Sequence, residues 1–174
     1  YDPSHTGDTA GCVVLAPPQR PGGVFRVLER HQFKGMDFEA QAREIKKITQ
    51  RYHVAYMGID TTGIGQGVYQ LVRKFFPQAR AYNYSVEIKT RLVLKAKSVI
   101  TARRLQFDAS WVEMAHAFLS IKRVLTGSGR GVTYDAGRNE KTGHADLAWA
   151  VMHALDNEPL DGHASGHRNI MEMS

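Results

Sequence analysis

The sequence has a single cysteine, no apolar run long enough to cross a bilayer, and no internal repeat or low-complexity tract before about residue 158. The lone thiol, Cys12, excludes an intrachain disulfide and suits a reducing compartment; within the run Cys-Val-Val-Leu-Ala it reads as a small core residue rather than a nucleophile. Without 18 successive apolar residues no transmembrane helix is expected, and no signal peptide is visible. A G-x-x-x-x-G-K-S/T phosphate loop is also missing. The stretch Gly63-Ile64-Gly65-Gln66-Gly67 approaches a dinucleotide fingerprint, but Val68 stands where the third glycine is needed, so a tight turn is the better reading.

What is present is a chain of 174 residues, suited to one domain with a substantial core. Its formal charge of +6 favours an anionic partner such as nucleic acid. It begins at Tyr1 without an initiator methionine, and its first residues read like the end of a strand, so a fragment of a longer protein is expected. The domain is expected over 1–159, with 160–174 a polar, poorly ordered tail.

Hydrophobic periodicity predicts strands over 12–16 and 24–33, joined through Pro17, Pro18, Pro21, Gly22 and Gly23 and therefore antiparallel. In the second, Phe25, Val27 and His31 alternate with Arg26, Leu28 and Arg30. A helix capped by Asp37 follows over 38–52, then a strand over 54–59, a helix over 65–76 and a strand over 79–84. Helices are expected over 87–104, with Ile88, Leu92, Ala96, Val99 and Ile100 on its inner face, and over 110–119. Residues 121–126 and 131–136 form a hairpin, and 144–155 a last helix. This order predicts an α/β fold with a mixed sheet covered by helices. The strand ending near Asp2 then sits parallel beside 54–59, roughly 4.8 Å away.

Three carboxylates stand out. Asp2 precedes a proline turn, Asp60 ends an apolar strand, and Asp146 lies in the first turn of the last helix. Brought together, they suit two hard divalent cations that activate a water against a phosphodiester. Read singly, each has an ordinary alternative: a solvated Asp-Pro turn, a helix-capping turn acid and a favourable first-turn carboxylate. His144 is a candidate acid, base or phosphate contact, with a capping role equally open. Arg123, Arg130, Arg138 and Lys141, on or after the hairpin, are candidate DNA contacts, whereas Lys89, Arg91, Lys95 and Lys97 read partly as a solvated helix face.

The segments YDPS-x-x-GD, GIDTTGIG and TGHADLAWAVMHALDNEPL together resemble the nuclease domain of tailed-phage large terminase subunits, in the group of terminase ATPase subunits of temperate phages and prophages. The resemblance implies a ribonuclease-H-like mixed sheet with an added hairpin near the active site. It implies an endonuclease using Mg²⁺ or Mn²⁺, two ions, to cut concatemeric double-stranded DNA during genome packaging. Asp2, Asp60 and Asp146 match the family's catalytic and metal-holding acids, and Asp8 is a secondary match. An N-terminal ATPase domain, a small terminase subunit and a portal are the implied partners, with no membrane. The implied location is the cytoplasm of the infected or lysogenic bacterial host. The alternatives are another ribonuclease-H-like nuclease, such as a junction resolvase, or a DNA-binding or docking module of the packaging motor without independent cleavage.

Overall fold

The computed structural model describes residues 1–3, 9–127, 129, 131–136 and 145–158. Its first two strands, β1 (Thr9–Ala16) and β2 (Phe25–Lys34), form the expected antiparallel pair, running from Thr9 opposite Lys34 to Ala16 opposite Arg26. A bulge leaves Leu28 without a partner residue, because Val14 faces Glu29 while Leu15 faces Val27. One extra residue turns every following side chain over. Phe25 and Val27 therefore pack on one face of the sheet and Phe33 on the other. The expected core position of His31 is corrected by the same slip: its imidazole is half-exposed and bonds Glu29 at 2.8 Å.

Asp37 caps α1 (Phe38–Arg51) through the Ala40 N–H at 2.7 Å. The chain then forms β3 (Gly58–Asp60), α2 (Gly65–Arg73), β4 (Arg80–Tyr82) and α3 (Val86–Thr101). Arg103, in the left-handed region at φ 56°, ends that helical path earlier than the expected residue 104. The reversal frees β5 (Leu105–Gln106) to pair in parallel with Phe25 and Arg26, a strand the sequence did not suggest. Next come α4 (Val112–Ser120), the hairpin β6 (Ile121–Leu125) and β7 (Val132–Ala136), and α5 (Asp146–Leu155). The expected tail lies outside the described residues. Among the described residues no helix is long and apolar enough to cross a membrane.

Tyr1 and Asp2 tie two small sheets into one. The Tyr1 nitrogen donates to the Gly58 carbonyl at 2.7 Å and the Asp60 N–H donates to the Tyr1 carbonyl at 3.0 Å, the bonding of a residue parallel to Ile59. On its other flank Asp2 exchanges two backbone hydrogen bonds with Gly11, at 2.8 and 2.9 Å, in an antiparallel bridge. The resulting order is β5-β2-β1-(Tyr1–Asp2)-β3-β4, which is the expected mixed sheet with Asp2 beside Asp60. The strand expected over 54–59 is shortened to Gly58–Asp60, because residues 54–57 border a cavity on one flank instead of a partner strand.

Helices cover both faces. Ile45 and Ile48 of α1 and Val68 and Val72 of α2 pack with Cys12, Phe33 and Ile59, so the thiol is the core residue its apolar run implied. On the other face α5 is buried almost all round, from Leu147 to Leu155, against Leu92, Ala96, Val99 and Met114. Ile100, expected on the inner face of α3, is 43% exposed and belongs to the outer side.

Candidate metal centre

Asp60 closes β3 and is buried, with its Oδ1 accepting the Thr62 N–H at 2.7 Å. The turn behind it is as tight as the glycines suggested. A Cβ on Gly65 would stand 2.1 Å from the Asp60 carbonyl oxygen, and Gly63 occupies the left-handed region at φ 61°. These glycines hold backbone, not a nucleotide.

Asp2 lies next door and is equally buried. Burial pushes its carboxyl well above the usual carboxylate range, the charges of Asp146 and Asp60 push it further, and it shares a hydrogen bond with the Asp60 side chain. Burial also raises Asp60, opposed by its bonds to Thr62 and Asp2. Asp146 reaches the same place from the first turn of α5. Its backbone rests on Gly11: a Cβ there would lie 2.5 Å from the Asp146 carbonyl carbon and 2.9 Å from its Cβ. Gly11 is thus the hinge point of the site, bridging Asp2 through its main chain and seating Asp146 through its missing side chain.

The aromatic floor is Tyr84, whose hydroxyl pKa is raised by burial and then by the charges of Asp2, Asp60 and Asp146. Its oxygen lies 2.9 Å from His153 Nε2, and His153 stacks on Tyr82 with centroids 4.6 Å apart. Full burial pulls the imidazole well below its ordinary pKa, so His153 is a neutral core side chain. Lys89 stands over the Tyr84 and Trp149 rings at 5.5 and 5.7 Å and pairs with Asp135 of the hairpin at 3.5 Å.

What fixes α5 lengthwise is a set of ion pairs just beyond its end. Asp156 takes two hydrogen bonds from Arg91, at 3.1 and 3.0 Å, and one from the Tyr82 hydroxyl at 2.8 Å. Glu158 pairs with Lys95 at 3.0 Å and with Arg104. The expected solvated face of α3 is corrected here, since Lys95 is only 3% exposed and anchors the chain after α5.

The structure therefore brings Asp2, Asp60 and Asp146 into one electrostatic neighbourhood. Their chemistry fits hard divalent cations: they are carboxylate oxygen donors, those of Asp2 and Asp60 buried, whose crowded negative charge raises Asp2 and which a bound cation would relieve. The described residues hold no ready-made group of three or more His, Cys, Asp or Glu side chains around a single point. Asp8, His144, Arg130, Arg138 and Lys141 lie outside the described residues. Arg123 is exposed on β6, opposite Tyr134. Sequence reasoning missed Gly11, although a glycine inside an apolar strand signals close backbone approach. It also missed Tyr84 and the Asp156–Glu158 anchors, whose partners lie more than 50 positions away.

A mixed sheet sandwiched by helices, with acids at the ends of neighbouring strands and on a late helix, defines the ribonuclease-H-like class. The profile of the Terminase RNaseH-like domain matches residues 1–158, and the chain belongs to that family. It is 59% identical over 160 residues to the terminase, ATPase subunit, of Escherichia phage P2, covering 92% of this chain and 27% of that protein. It is 38% identical over 161 residues to the probable terminase, ATPase subunit, of Haemophilus phage HP1, covering 92% and 26%. The chain thus spans about a quarter of the length of these curated relatives. The large terminase nuclease of thermophilic phage G20c with bound cobalt superposes with a TM-score of 0.65 at 15% identity, over 86% of this chain and 82% of that one. The HK97 bacteriophage large terminase does so at 0.65 and 11% identity, over 86% and 36%. At such identities the likeness shows the fold.

Proposed function

We propose that the domain is a divalent-metal-dependent endonuclease that cuts concatemeric double-stranded DNA during viral genome packaging, with Asp2, Asp60 and Asp146 as its catalytic, metal-holding residues. The observation that carries this reading is the adjacency of buried Asp2 and Asp60, each with a raised pKa, under the charge of Asp146. The G20c neighbours with bound cobalt and with bound magnesium support a divalent cation on this fold. Mg²⁺ or Mn²⁺, as a pair, supplies the Lewis acidity that makes a water nucleophilic and offsets charge on the leaving oxygen.

The protein's own part is positional. The Thr62 N–H holds one oxygen of Asp60 and leaves the carboxylate directed by β3 towards Asp2. Two backbone bonds to Gly11 hold Asp2 at its level. The first turn of α5 favours ionised Asp146, and the Asp156 and Glu158 ion pairs keep that turn in place. Arg123, with Arg130, Arg138 and Lys141, supplies phosphate contacts, His144 serves as an acid, base or phosphate contact, and Asp8 is a further metal ligand. In the whole protein the partners are an ATPase domain, the small terminase subunit and the portal, in the cytoplasm of the bacterial host.

The test is Mn²⁺-dependent cleavage of supercoiled plasmid by the wild type, Asp60→Ala and Asp146→Ala. Loss of at least about 100-fold with unchanged circular dichroism is expected; full cleavage by both variants refutes the assignment. Preference for four-way junctions over linear duplex and RNA–DNA hybrid would move the reading to a resolvase. The net charge of +6 favours one second reading, a DNA-binding or docking module of the packaging motor whose nuclease is silent in isolation. DNA binding that persists in EDTA, with no cleavage in any metal, selects it.

A further inference from the structure

Beneath the acids the Tyr84 hydroxyl and the His153 imidazole meet at 2.9 Å. The chain brings Tyr84 there by extending the pairing that holds Asp60. In the parallel register of β3 and β4, Asp60 lies opposite Tyr82. Past the strand ends the Thr61 N–H donates to the Tyr82 carbonyl at 2.7 Å, and the Tyr84 N–H donates to the Thr62 hydroxyl at 2.9 Å. The Thr62 N–H in turn holds Asp60 Oδ1, so a single residue links Tyr84 to the acid.

Residues two apart on an extended chain share a side, and both tyrosines meet α5. Tyr82 stacks on His153, while the Tyr84 ring tilts against Trp149 with centroids 5.1 Å apart and against His153 at 5.7 Å. Trp149 and His153 follow Asp146 by three and seven residues, on the helix stripe that begins with that acid. The ring is thus pinned between the turn behind Asp60 and the helix that carries Asp146, with Lys89 over its face.

Which atom donates between Tyr84 and His153 follows from the rest of the imidazole. His153 is fully buried and neutral, so it carries one ring proton. Its Nδ1 has no hydrogen-bond partner among the described residues, and the Tyr1 carbonyl near it is already engaged by the Asp60 N–H at 3.0 Å. A buried N–H without an acceptor is a rarer and costlier state than a bare acceptor atom. The proton therefore belongs on Nε2, which donates to the Tyr84 oxygen. That leaves the phenol its own proton to give. Of the charges bearing on the hydroxyl, Asp2 is the largest, followed by Asp60 and Asp146. Asp60 already has the Thr62 N–H to orient it, so Asp2 is the acid that gains from a second donor.

We propose that Tyr84 is a positioning residue of the metal centre, its hydroxyl oriented by His153 Nε2–H and donating to the Asp2 carboxylate, directly or through one water. The inference rests on the metal-dependent nuclease reading of the same acids. A donor on a ligating carboxylate fixes the direction in which it presents its oxygens, and so raises affinity without touching the cation. His153 supplies direction rather than charge. Lys89, over the ring, draws electron density from the phenol and strengthens its O–H as a donor.

The experiment measures Mn²⁺ affinity by isothermal titration calorimetry in the wild type, Tyr84→Phe, His153→Phe and the double variant, with Asp60→Ala as control. Tyr84→Phe keeps the ring against Trp149 and removes only the hydroxyl. Its Mn²⁺ affinity should fall at least about tenfold, with unchanged circular dichroism and unchanged binding to duplex DNA in EDTA. His153→Phe should lose as much, and the double variant should be within about twofold of either, because the two side chains act as one unit. His153→Gln, whose amide N–H can replace Nε2–H, should recover most of that loss. In the ¹⁵N spectrum of the metal-free wild type, His153 should be protonated at Nε2; a proton on Nδ1 overturns the proposal. Wild-type affinity in Tyr84→Phe, with affinity lost in Asp60→Ala, overturns it and leaves the nuclease reading standing. A wild type that binds no Mn²⁺ overturns both.

Discussion

At Asp2 and Asp60 two carboxyls share a hydrogen bond in a buried place under a third negative charge, so neither ionises freely beside the other. Both folded-state pKa values lie above those of the unfolded chain, so the folded protein binds more protons as pH rises past about 4. The stabilisation these groups provide is complete below that pH and is lost as pH climbs through their raised values. The metal-free chain should therefore lose thermal stability as pH rises above about 4, a loss reduced in Asp2→Asn and reversed by Mn²⁺; melting curves with and without EDTA check this. Gly11 is the second decisive residue. In Gly11→Ala the new methyl meets Asp146 backbone atoms at 2.5–2.6 Å, so the first turn of α5 must move. Cleavage is expected to fall at least about tenfold while the fold survives, as read by plasmid nicking and circular dichroism.

Among the elements, α5 carries most of the burden, since its first turn brings Asp146 and its exit carries Asp156 and Glu158. Removing the Glu158 carboxylate in Glu158→Ala takes the counter-charge from buried Lys95 and should cost about 3 kcal/mol. For a chain of this size that is a midpoint lowered by roughly 6–12 °C, measurable by calorimetry. Lys95→Met combined with Glu158→Leu should recover most of the loss. The apolar spacing of α1 and α5, the hairpin turn and the acid at the end of β3 were all legible in the sequence, because they depend on neighbours within one or two turns. The shortness of β3, the strand β5 and the burial of Lys95 were not. Each depends on a partner far along the chain: a cavity also bordered by residues 12–16, the Phe25 edge of β2, and Glu158. His31 was misplaced for a local reason, the bulge at Leu28, which no residue type there announces.

For the molecule as a whole, excess positive charge and an exposed hairpin suit a long polyanion. Binding to duplex DNA should weaken steeply with salt and show little sequence preference. Arg123→Glu should lower the affinity and flatten the salt slope; an unchanged slope in that variant removes the hairpin from the interface. The proposed activity depends on whether Asp2, Asp60 and Asp146 gather a cation. Crystals soaked in Mn²⁺ and measured for anomalous scattering answer this most directly. Anomalous density is expected between the three carboxylates and absent in Asp60→Asn; density elsewhere alone, or none while the wild type cleaves DNA, contradicts a metal centre there.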